Sequence, residues 1–493
     1  MTDLWATVLF GGGLLAVVGA GEALRAKGGW PAEASRRFVH ALTGLLVVAS
    51  PYLFERPTGI YALAGVFVLV NVWAVPRRAF PGMHGIRRRS WGTATFPLAL
   101  LSALATCWSL DPSRVYVLQT AFLVLAVSDP LAAAVGTTVQ RPGVYRVGAN
   151  EKSVAGSLTF FVSAFALTAG ALIGLGGHAL SMAGVLATAL VVAALATGAE
   201  ALAQHGWDNF FLVVAVVVPL TVVHEEPLAV MLLLIALAVA VAFGAVAYAL
   251  RFLDRSGALA ASGLAFSVVV LGPAWAVPGV TFFVLSSLLS KAGRRRKAGA
   301  ERLAEKGSRR DAGQVYANGG VAWALLVAYV FVPADALYWG YVGAFAAAAA
   351  DTWGTEVGTL VGGPTRLVWS GRRVPPGTSG GVSVAGTLGA LAGAGVVFGS
   401  AVPFAETFFE PYGMGAAAAL IVGGGFAAGL LDSLLGATVQ ALYRDEHGGL
   451  TERAGARSRP HALVRGRRWV TNDRVNLACT LAGGALPMAV IAI

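Results

Sequence analysis

Long apolar segments recur along the whole chain and constrain its fold more than any other feature. Between Leu4 and Ile493, mostly apolar segments follow one another with short polar connections. Many reach about 20 residues, the length that crosses a bilayer as a helix. Only 12% of the residues are charged, whereas soluble domains carry about 25%. We therefore predict an all-α polytopic membrane protein with about sixteen transmembrane helices. Because the first segment lacks a preceding basic region and further segments follow, we expect a retained helix rather than a signal peptide.

The basic residues fall on alternate loops. Of the 36 lysines and arginines, only Arg56 and Arg114 belong to the loops on the opposite side. Since positively charged loops stay in the cytoplasm, both termini should lie outside. We expect a bacterial inner membrane, with the sites facing the cytoplasm. The net charge of +11 then reflects membrane topology and not nucleic-acid binding.

An internal repeat relates the two halves of the chain. Residues 153–158 (SVAGSL) match residues 383–388 (SVAGTL). Asp129 and Asp351 precede these segments, and each is followed by a glycine seven residues later. Glu200 lies 47 residues after the first segment begins, and Asp432 lies 49 residues after the second. We predict two related halves, residues 1–226 and 227–493, that cross the membrane in the same direction. Two sites facing one compartment suit consecutive enzymes, although parallel repeats also occur in transporters.

Five carboxylates lie in or beside apolar helices, where each costs about 3 kcal/mol. A single one could be a helix-end residue that reaches water, but repeated positions favour a function. Carboxylate oxygens together with substrate phosphates are what Mg²⁺ prefers. The candidate residues are Asp129, Glu200, Asp351, Glu356 and Asp432.

Each half also contains a glycine-rich segment that could bind phosphate. In the first half, Lys152, Ser153 and Gly156 lie at a predicted helix start, where backbone N–H groups attract anions. In the second half, residues 376–381 (PGTSGG) have the composition of a phosphate-binding loop. No lysine matches Lys152 there, and its substitute would be Arg366, Arg372 or Arg373.

The first half, about residues 30–225, resembles the phytol kinase and dolichol kinase family of CTP-dependent polyprenol kinases. The resembling pieces are residues 36–40 (RRFVH), 89–93 (RSWGT), 128–133 (SDPLAA) with Gly136, 151–153 (EKS) with Gly156, and Glu200 with Asp208 and Asn209.

The second half, about residues 230–493, resembles the DUF92/TMEM19-like membrane family, which includes plant phytyl-phosphate kinase. The resembling pieces are residues 286–287 (SS), Arg310 with Gln314, 318–320 (NGG), 350–356 (ADTWGTE), 377–383 (GTSGGVS), 432–440 (DSLLGATVQ), 472–473 (ND) and 475–476 (VN).

These resemblances imply a fusion of two consecutive kinases. The first would phosphorylate a prenyl alcohol of the phytol or geranylgeraniol type, and the second would convert the monophosphate to the diphosphate. Both would use Mg²⁺ and CTP, or another nucleoside triphosphate such as ATP. The implied catalytic residues are Asp129, Lys152, Asp351 and Glu356, and the implied metal ligands are Asp129, Glu200, Asp208, Asp351, Glu356 and Asp432.

The implied substrate- and nucleotide-binding residues are Arg89, Ser153, Gly156 and Asn209 in the first half, and Arg310, Asn318, Arg372, Thr378, Ser379, Gly380, Gly381, Gln440 and Asn476 in the second. Two other functions stay open. A CTP-dependent lipid cytidylyltransferase would release pyrophosphate where a kinase releases CDP, and a transporter would move its substrate without nucleotide.

Overall fold

The structure is a computed structural model that describes residues 3–77, 90–139, 143–147, 150–176, 180–293, 309–446, 448–456 and 459–491. The chain forms two compact units, Met1–Leu237 and Ala238–Ile493. The division falls inside a long helix, Val230–Ala249. Arg89, one of the predicted binding residues, lies outside the described residues.

The first unit is built from helices joined by short loops. In chain order these are α1 Asp3–Ala26, α2 Ala32–Ala49, α3 Thr58–Arg77, α4 Gly92–Leu104, α5 Val115–Thr138, α6 Val154–Gly174, α7 Met182–Leu202 and α8 Asp208–Glu225. Helix α9, Val230–Ala249, leads into the second unit. Helix α5 has the most buried residues of the first unit, and it packs against α2, α6 and α8.

The second unit has the same mainly helical construction. Its helices are α10 Arg255–Leu271, α11 Pro273–Lys291, α12 Ala312–Phe331, α13 Asp335–Val361, α14 Val384–Ala401, α15 Ala405–Phe408, α16 Met414–Ala418, α17 Gly424–Thr438 and α18 Asn472–Ile491. A π-helical turn, Ala419–Gly423, joins α16 to α17 into one continuous segment.

Short strands occur only in polar connections of the described chain. Strands β1 Val144–Val147 and β2 Asn150–Ser153 form an antiparallel hairpin between α5 and α6. Strands β3 Thr365–Leu367, β4 Arg373–Val374 and β5 Gly381–Val382 form a small antiparallel sheet with β3 in the middle. The connection between α17 and α18 contains β6 Leu442–Arg444, β7 Leu450–Thr451, β8 Gly455–Ala456, β9 Arg459–Pro460 and β10 Ala462–Arg465.

The all-α polytopic class is confirmed, because 12 helices in the described chain are long and apolar enough to cross a membrane. This number is smaller than the predicted sixteen. Four further helices, α2, α4, α10 and α13, account for the difference. Helices α4 and α10 are shorter, at 13 and 17 residues. Helices α2 and α13 carry charged residues, among them Arg36 and Asp351, which lower their hydropathy.

Helix α13 is the buried centre of the second unit. Its residues 338–350 are all buried and include a run of five alanines, 346–350. Glycines of the neighbouring helices face this run, so that the backbones approach closely. A Cβ atom at Gly393 of α14 would lie 2.7 Å from the Ala349 carbonyl oxygen, and one at Gly425 of α17 would lie 2.9 Å from the Ala346 Cβ. Gly483 of α18 meets Ala347 in the same way.

The repeated sequence segments have the same local structure in both units. The Ser153 hydroxyl accepts a hydrogen bond from the Gly156 N–H, and the Ser383 hydroxyl accepts one from the Gly386 N–H, each at 3.1 Å. Each serine thereby caps the helix that follows it. The glycine that follows each predicted aspartate, Gly136 or Gly358, packs directly against this cap.

We predict that Gly393→Leu destabilises the second unit, because the new side chain would have to separate α14 from α13. Overpacking of this kind costs about 1–3 kcal/mol, so the midpoint of thermal unfolding in detergent should fall. Gly395→Leu is the matched control on the same helix, since a Cβ there meets nothing within 4 Å. Equal midpoints for the two variants would contradict the packing described for α13.

Candidate functional site

A polar cavity of about 330 Å³ lies in the second unit at the end of α13 that carries Asp351. The start of α14, the end of α17 and the start of α18 contribute to its wall. Most residues predicted for the second half line this one cavity: Arg310, Asn318, Asp351, Glu356, Thr378, Ser379, Gly380, Gly381, Asp432, Gln440 and Asn476. Arg372 is exposed on the hairpin of β3 and β4 and lies outside the lining.

Two carboxyl groups meet in this cavity. The side chains of Asp351 on α13 and Asp432 on α17 lie within hydrogen-bonding distance of each other. Among the described residues, the buried Oδ1 atom of Asp432 has no hydrogen-bonding partner. Two carboxylates so close repel each other unless a proton or a cation lies between them. Their oxygens suit a hard divalent cation such as Mg²⁺.

Arg310 supplies positive charge to the same cavity. Of the lining residues described, it is the one lysine or arginine. Its guanidinium lies 5.9 Å from the centre of the Phe282 ring and faces Glu356 and Asp351. Burial lowers the pKa of Arg310, and the two carboxylates act in the opposite direction. Because arginine stays charged under all ordinary conditions, this cation is available to an anionic ligand.

The glycine-rich loop is held tightly against α17. Gly380 has a φ of +78°, in the left-handed region that favours glycine. A Cβ at this position would also collide with Ala437 and with the Ser433 carbonyl. The loop is closed by a hydrogen bond of 2.9 Å from the Gly381 N–H to the Thr378 carbonyl. This close contact brings the loop next to the helix that carries Asp432.

Polar amides complete the cavity wall. Gln440 is only 3% exposed, and its Nε2 donor has no hydrogen-bonding partner among the described residues. The Asn476 Nδ2 donates to the Asn318 Oδ1 at 3.4 Å, which links α18 to α12. A buried donor without an acceptor costs about 1–3 kcal/mol, so Gln440 is suited to a ligand with acceptor oxygens.

Sequence reasoning missed one acidic residue of this cavity. Glu452, just after β7, accepts a hydrogen bond from the Ser379 hydroxyl and lines the cavity. It lies in the arginine-rich connection between α17 and α18, whose composition suggests only a solvated loop. Asp473, at the start of α18, also lines the cavity. It belongs to the motif at residues 472–473, for which the sequence suggests that it could complete a metal or phosphate shell.

The first unit gathers its predicted residues around an ion pair. Lys152, on β2, bonds through its Nζ to the Glu200 carboxylate near the end of α7. The carboxylates of Asp129, Glu200 and Asp208 interact electrostatically with one another. The Asp129 Oδ2 lies 3.9 Å from the His40 Nε2. This cluster therefore joins α2, α5, α7, α8 and the β1–β2 hairpin.

The remaining predicted residues of the first unit have structural contacts near this cluster. Ser153 and Gly156 form the start of α6, as described above. The Asn209 Nδ2, on α8, donates to the Gly92 carbonyl at the start of α4 at 2.8 Å. Each unit thus has a buried asparagine, Asn209 or Asn476, that joins its last long helix to an earlier one.

In each unit, the three predicted carboxylate ligands lie too far apart for all three to bind one cation directly. Within the described chain, one set of three potential ligand atoms lies within 4.8 Å: those of Asp111, His224 and Glu225. These residues lie at the opposite end of α5 from Asp129. Arg114 binds Asp111 at 3.2 Å and Glu225 at 2.6 Å, so part of their negative charge is already compensated. A cation in the predicted sites would have to complete its shell with water or substrate oxygens.

The fold and the cavity together define a polytopic membrane protein with a carboxylate-rich site at its helix ends. Residues 238–484 match the family model described as Integral membrane protein DUF92. The chain belongs to this family through its second unit. The family match includes every predicted site residue of that unit and excludes those of the first.

Three proteins from other organisms are similar to part of this chain. Protein PGR of Arabidopsis thaliana is 30% identical over 213 residues, which are 39% of this chain and 74% of the relative. An uncharacterized membrane protein of Methanocaldococcus jannaschii is 29% identical over 239 residues, 48% of this chain and 84% of the relative. Another from Synechocystis sp. is 28% identical over 222 residues, 43% of this chain and 71% of the relative. No solved structure matches the chain.

We predict that Asp351→Asn and Asp432→Asn each weaken Mn²⁺ binding, with Mn²⁺ used as a paramagnetic substitute for Mg²⁺. The measurement is electron paramagnetic resonance of purified protein that also carries Glu200→Gln and Asp208→Asn, so that the first unit contributes little. The affinity should fall by at least about tenfold, the smallest loss that even outer-shell changes produce. Asp335→Asn, at the other end of α13, is the control and should bind normally. Unchanged affinity in both test variants would argue against a cation site.

Proposed function

We propose that the chain is a bifunctional membrane kinase that uses a nucleoside triphosphate, CTP or another, and Mg²⁺. The second unit would phosphorylate a prenyl monophosphate to the diphosphate, and the first would phosphorylate the prenyl alcohol. The observation that carries the proposal is the pairing of Asp351 with Asp432 beside the glycine-rich loop. An acceptor atom of Asp432 and a donor atom of Gln440 both lack protein partners there, which suits a cation and a phosphate in the same cavity.

The second unit has the charges that an anionic acceptor requires. Phosphoryl transfer needs mainly positioning and charge neutralisation. A monophosphate already carries its nucleophilic oxygen in ionised form, so no base has to remove a proton from it. Arg310 would neutralise the acceptor phosphate, and the N–H groups of Ser379 and Gly380 in the glycine-rich loop would bind the donor phosphates. Mg²⁺ on Asp351 and Asp432 would reduce the repulsion between the two anions.

In the first unit the proposed acceptor is an alcohol, which makes a different demand on the site. A hydroxyl group must lose its proton as the new O–P bond forms, so a carboxylate near the acceptor is needed as a base. Asp129, with His40 beside it, is in the position to orient the hydroxyl. Lys152 would bind the donor phosphates, and Glu200 with Asp208 would hold Mg²⁺. The shared serine cap and glycine contact of the two units support a common origin for the two sites.

Single substitutions in each unit test this division of labour. Asp129→Asn should lower formation of the monophosphate by about 100-fold or more and leave conversion of added monophosphate unchanged. Asp351→Asn should make the monophosphate accumulate. The measurement is lipid-product analysis after incubation of purified protein with geranylgeraniol, Mg²⁺ and labelled CTP or ATP. Asp335→Asn serves as the control.

The nucleotide product distinguishes the proposal from its alternatives. A kinase releases the nucleoside diphosphate, whereas a cytidylyltransferase releases pyrophosphate and leaves a CDP-lipid. If either Asp129→Asn or Asp351→Asn stopped both steps while the protein stayed folded, the two-site assignment would be wrong. Uptake of prenyl phosphate into vesicles without nucleotide would support a transporter instead.

A further inference from the structure

The first unit contains a second, mainly apolar cavity of about 120 Å³. It lies among α1, α2, α3 and α4, with a contribution from the start of α8. One end is lined by hydrocarbon side chains, which include Phe10, Val47, Ile60, Leu63 and Leu100. Neither the ion pair of Lys152 nor the carboxylates of Glu200 and Asp208 belong to its lining.

The other end of this cavity is polar and contains two atoms without partners. Among the described residues, the buried Arg36 Nε and the Asn71 Oδ1 form no hydrogen bond. Asn71 is 4% exposed, and its Nδ2 donates to the Phe67 carbonyl at 2.8 Å. One unpaired donor and one unpaired acceptor therefore face an otherwise apolar cavity, and each costs about 1–3 kcal/mol if it stays unpaired.

The cavity is elongated along the helices. On α3 its lining runs from Ile60 to Asn71, and on α2 from Val47 to Arg36. With a rise of 1.5 Å per residue, each of these stretches is about 16 Å long. His40 lies at the polar end of the α2 stretch, with its ring edge-on to Phe96 and 3.9 Å from the Asp129 carboxylate. The polar end of the cavity thus adjoins the predicted catalytic aspartate.

We propose that this cavity binds one hydrocarbon chain, with a hydroxyl group at the polar end between Arg36 and Asn71. A hydroxyl accepts one hydrogen bond and donates another, which satisfies both unpaired atoms. A doubly ionised phosphate could only accept, and it would leave Asn71 unpaired. The His40 ring lies beside this end, with its Nε2 at 3.4 Å from the Leu125 carbonyl oxygen and 3.9 Å from the Asp129 Oδ2.

The assignment of the bound alcohol as the substrate rests on the proposed function. Binding of the alcohol itself can be tested without nucleotide or Mg²⁺. The probe is a photoreactive diazirine derivative of geranylgeraniol, incubated with the full chain in detergent and then mapped by mass spectrometry. The label should fall on α1 and α3, on residues such as Phe10 and Leu63. An excess of geranylgeraniol should remove it. Labelling confined to other parts of the chain would overturn the proposal.

Ala64→Leu tests the length of the cavity. Ala64 is 4% exposed and lines the cavity about 10 Å from Asn71 along α3. Leucine should block the deeper part, so competition by geranylgeraniol should weaken by tenfold or more while competition by the shorter geraniol is retained. Val66→Leu, on the exposed face of the same helix, is the matched control. Identical competition curves for the two variants would contradict the assignment.

Asn71→Leu tests the polar end and keeps the number and branching of the non-hydrogen side-chain atoms. This variant should lose the preference of the cavity for the alcohol over the matching hydrocarbon without a hydroxyl. It also replaces Ala64→Leu as the deciding variant if the latter unfolds. An unchanged preference would exclude Asn71 from hydroxyl binding. If the label maps to the cavity but no nucleotide yields a phosphorylated lipid, the kinase proposal fails and the binding site stands.

Discussion

The close packing of glycine against alanine around α13 is the contact on which the second unit depends. Within a bilayer, helices gain little from burying apolar surface against one another, so van der Waals contact between small residues has to hold them together. Gly393, Gly425 and Gly483 allow three helices to approach the alanine run of α13. The same approach brings Asp432 of α17 to Asp351, and a wider spacing would separate the two carboxyl groups. The packing and the site are therefore one structural feature.

The fold class and much of the candidate site follow from residue patterns. Apolar segments of spanning length predicted the helices, and the repeat at residues 153–158 and 383–388 predicted two helix caps of the same kind. Length and composition identify 12 spanning helices in the described chain, and four further helices fall outside these criteria. Helix α13 has low hydropathy because it carries Asp351 and Glu356. A helix that is enclosed by other helices can carry such residues, whereas a lipid-facing helix would not.

Other parts of the site have no signal in the sequence. Glu452 reaches the cavity because of the way the strands between α17 and α18 pair. These segments are short and basic, and their residue pattern does not predict this pairing. A single histidine at a helix end, such as His40, is usually structural and gives no sign of a functional contact. Its contact with Asp129 depends on the packing of α2 against α5, and residues 89 apart in the chain cannot be paired by spacing alone. Arg372 was chosen for its charge and its neighbours, but the hairpin directs that part of the chain away from the cavity.

If the first unit binds a nucleotide as proposed, the ion pair between Lys152 and Glu200 has a consequence for the form of nucleotide that it would accept. A metal-free nucleotide that engaged Lys152 would leave the partly buried Glu200 without its counter-charge, and a free divalent ion on Glu200 would do the same to Lys152. Breaking a buried pair by removing one partner costs about 3–5 kcal/mol. Only a ligand that carries both a negative and a positive charge would give Lys152 and Glu200 new partners at the same time. In the proposed kinase, the lysine and the glutamate would therefore favour the metal complex of the nucleotide over either component alone.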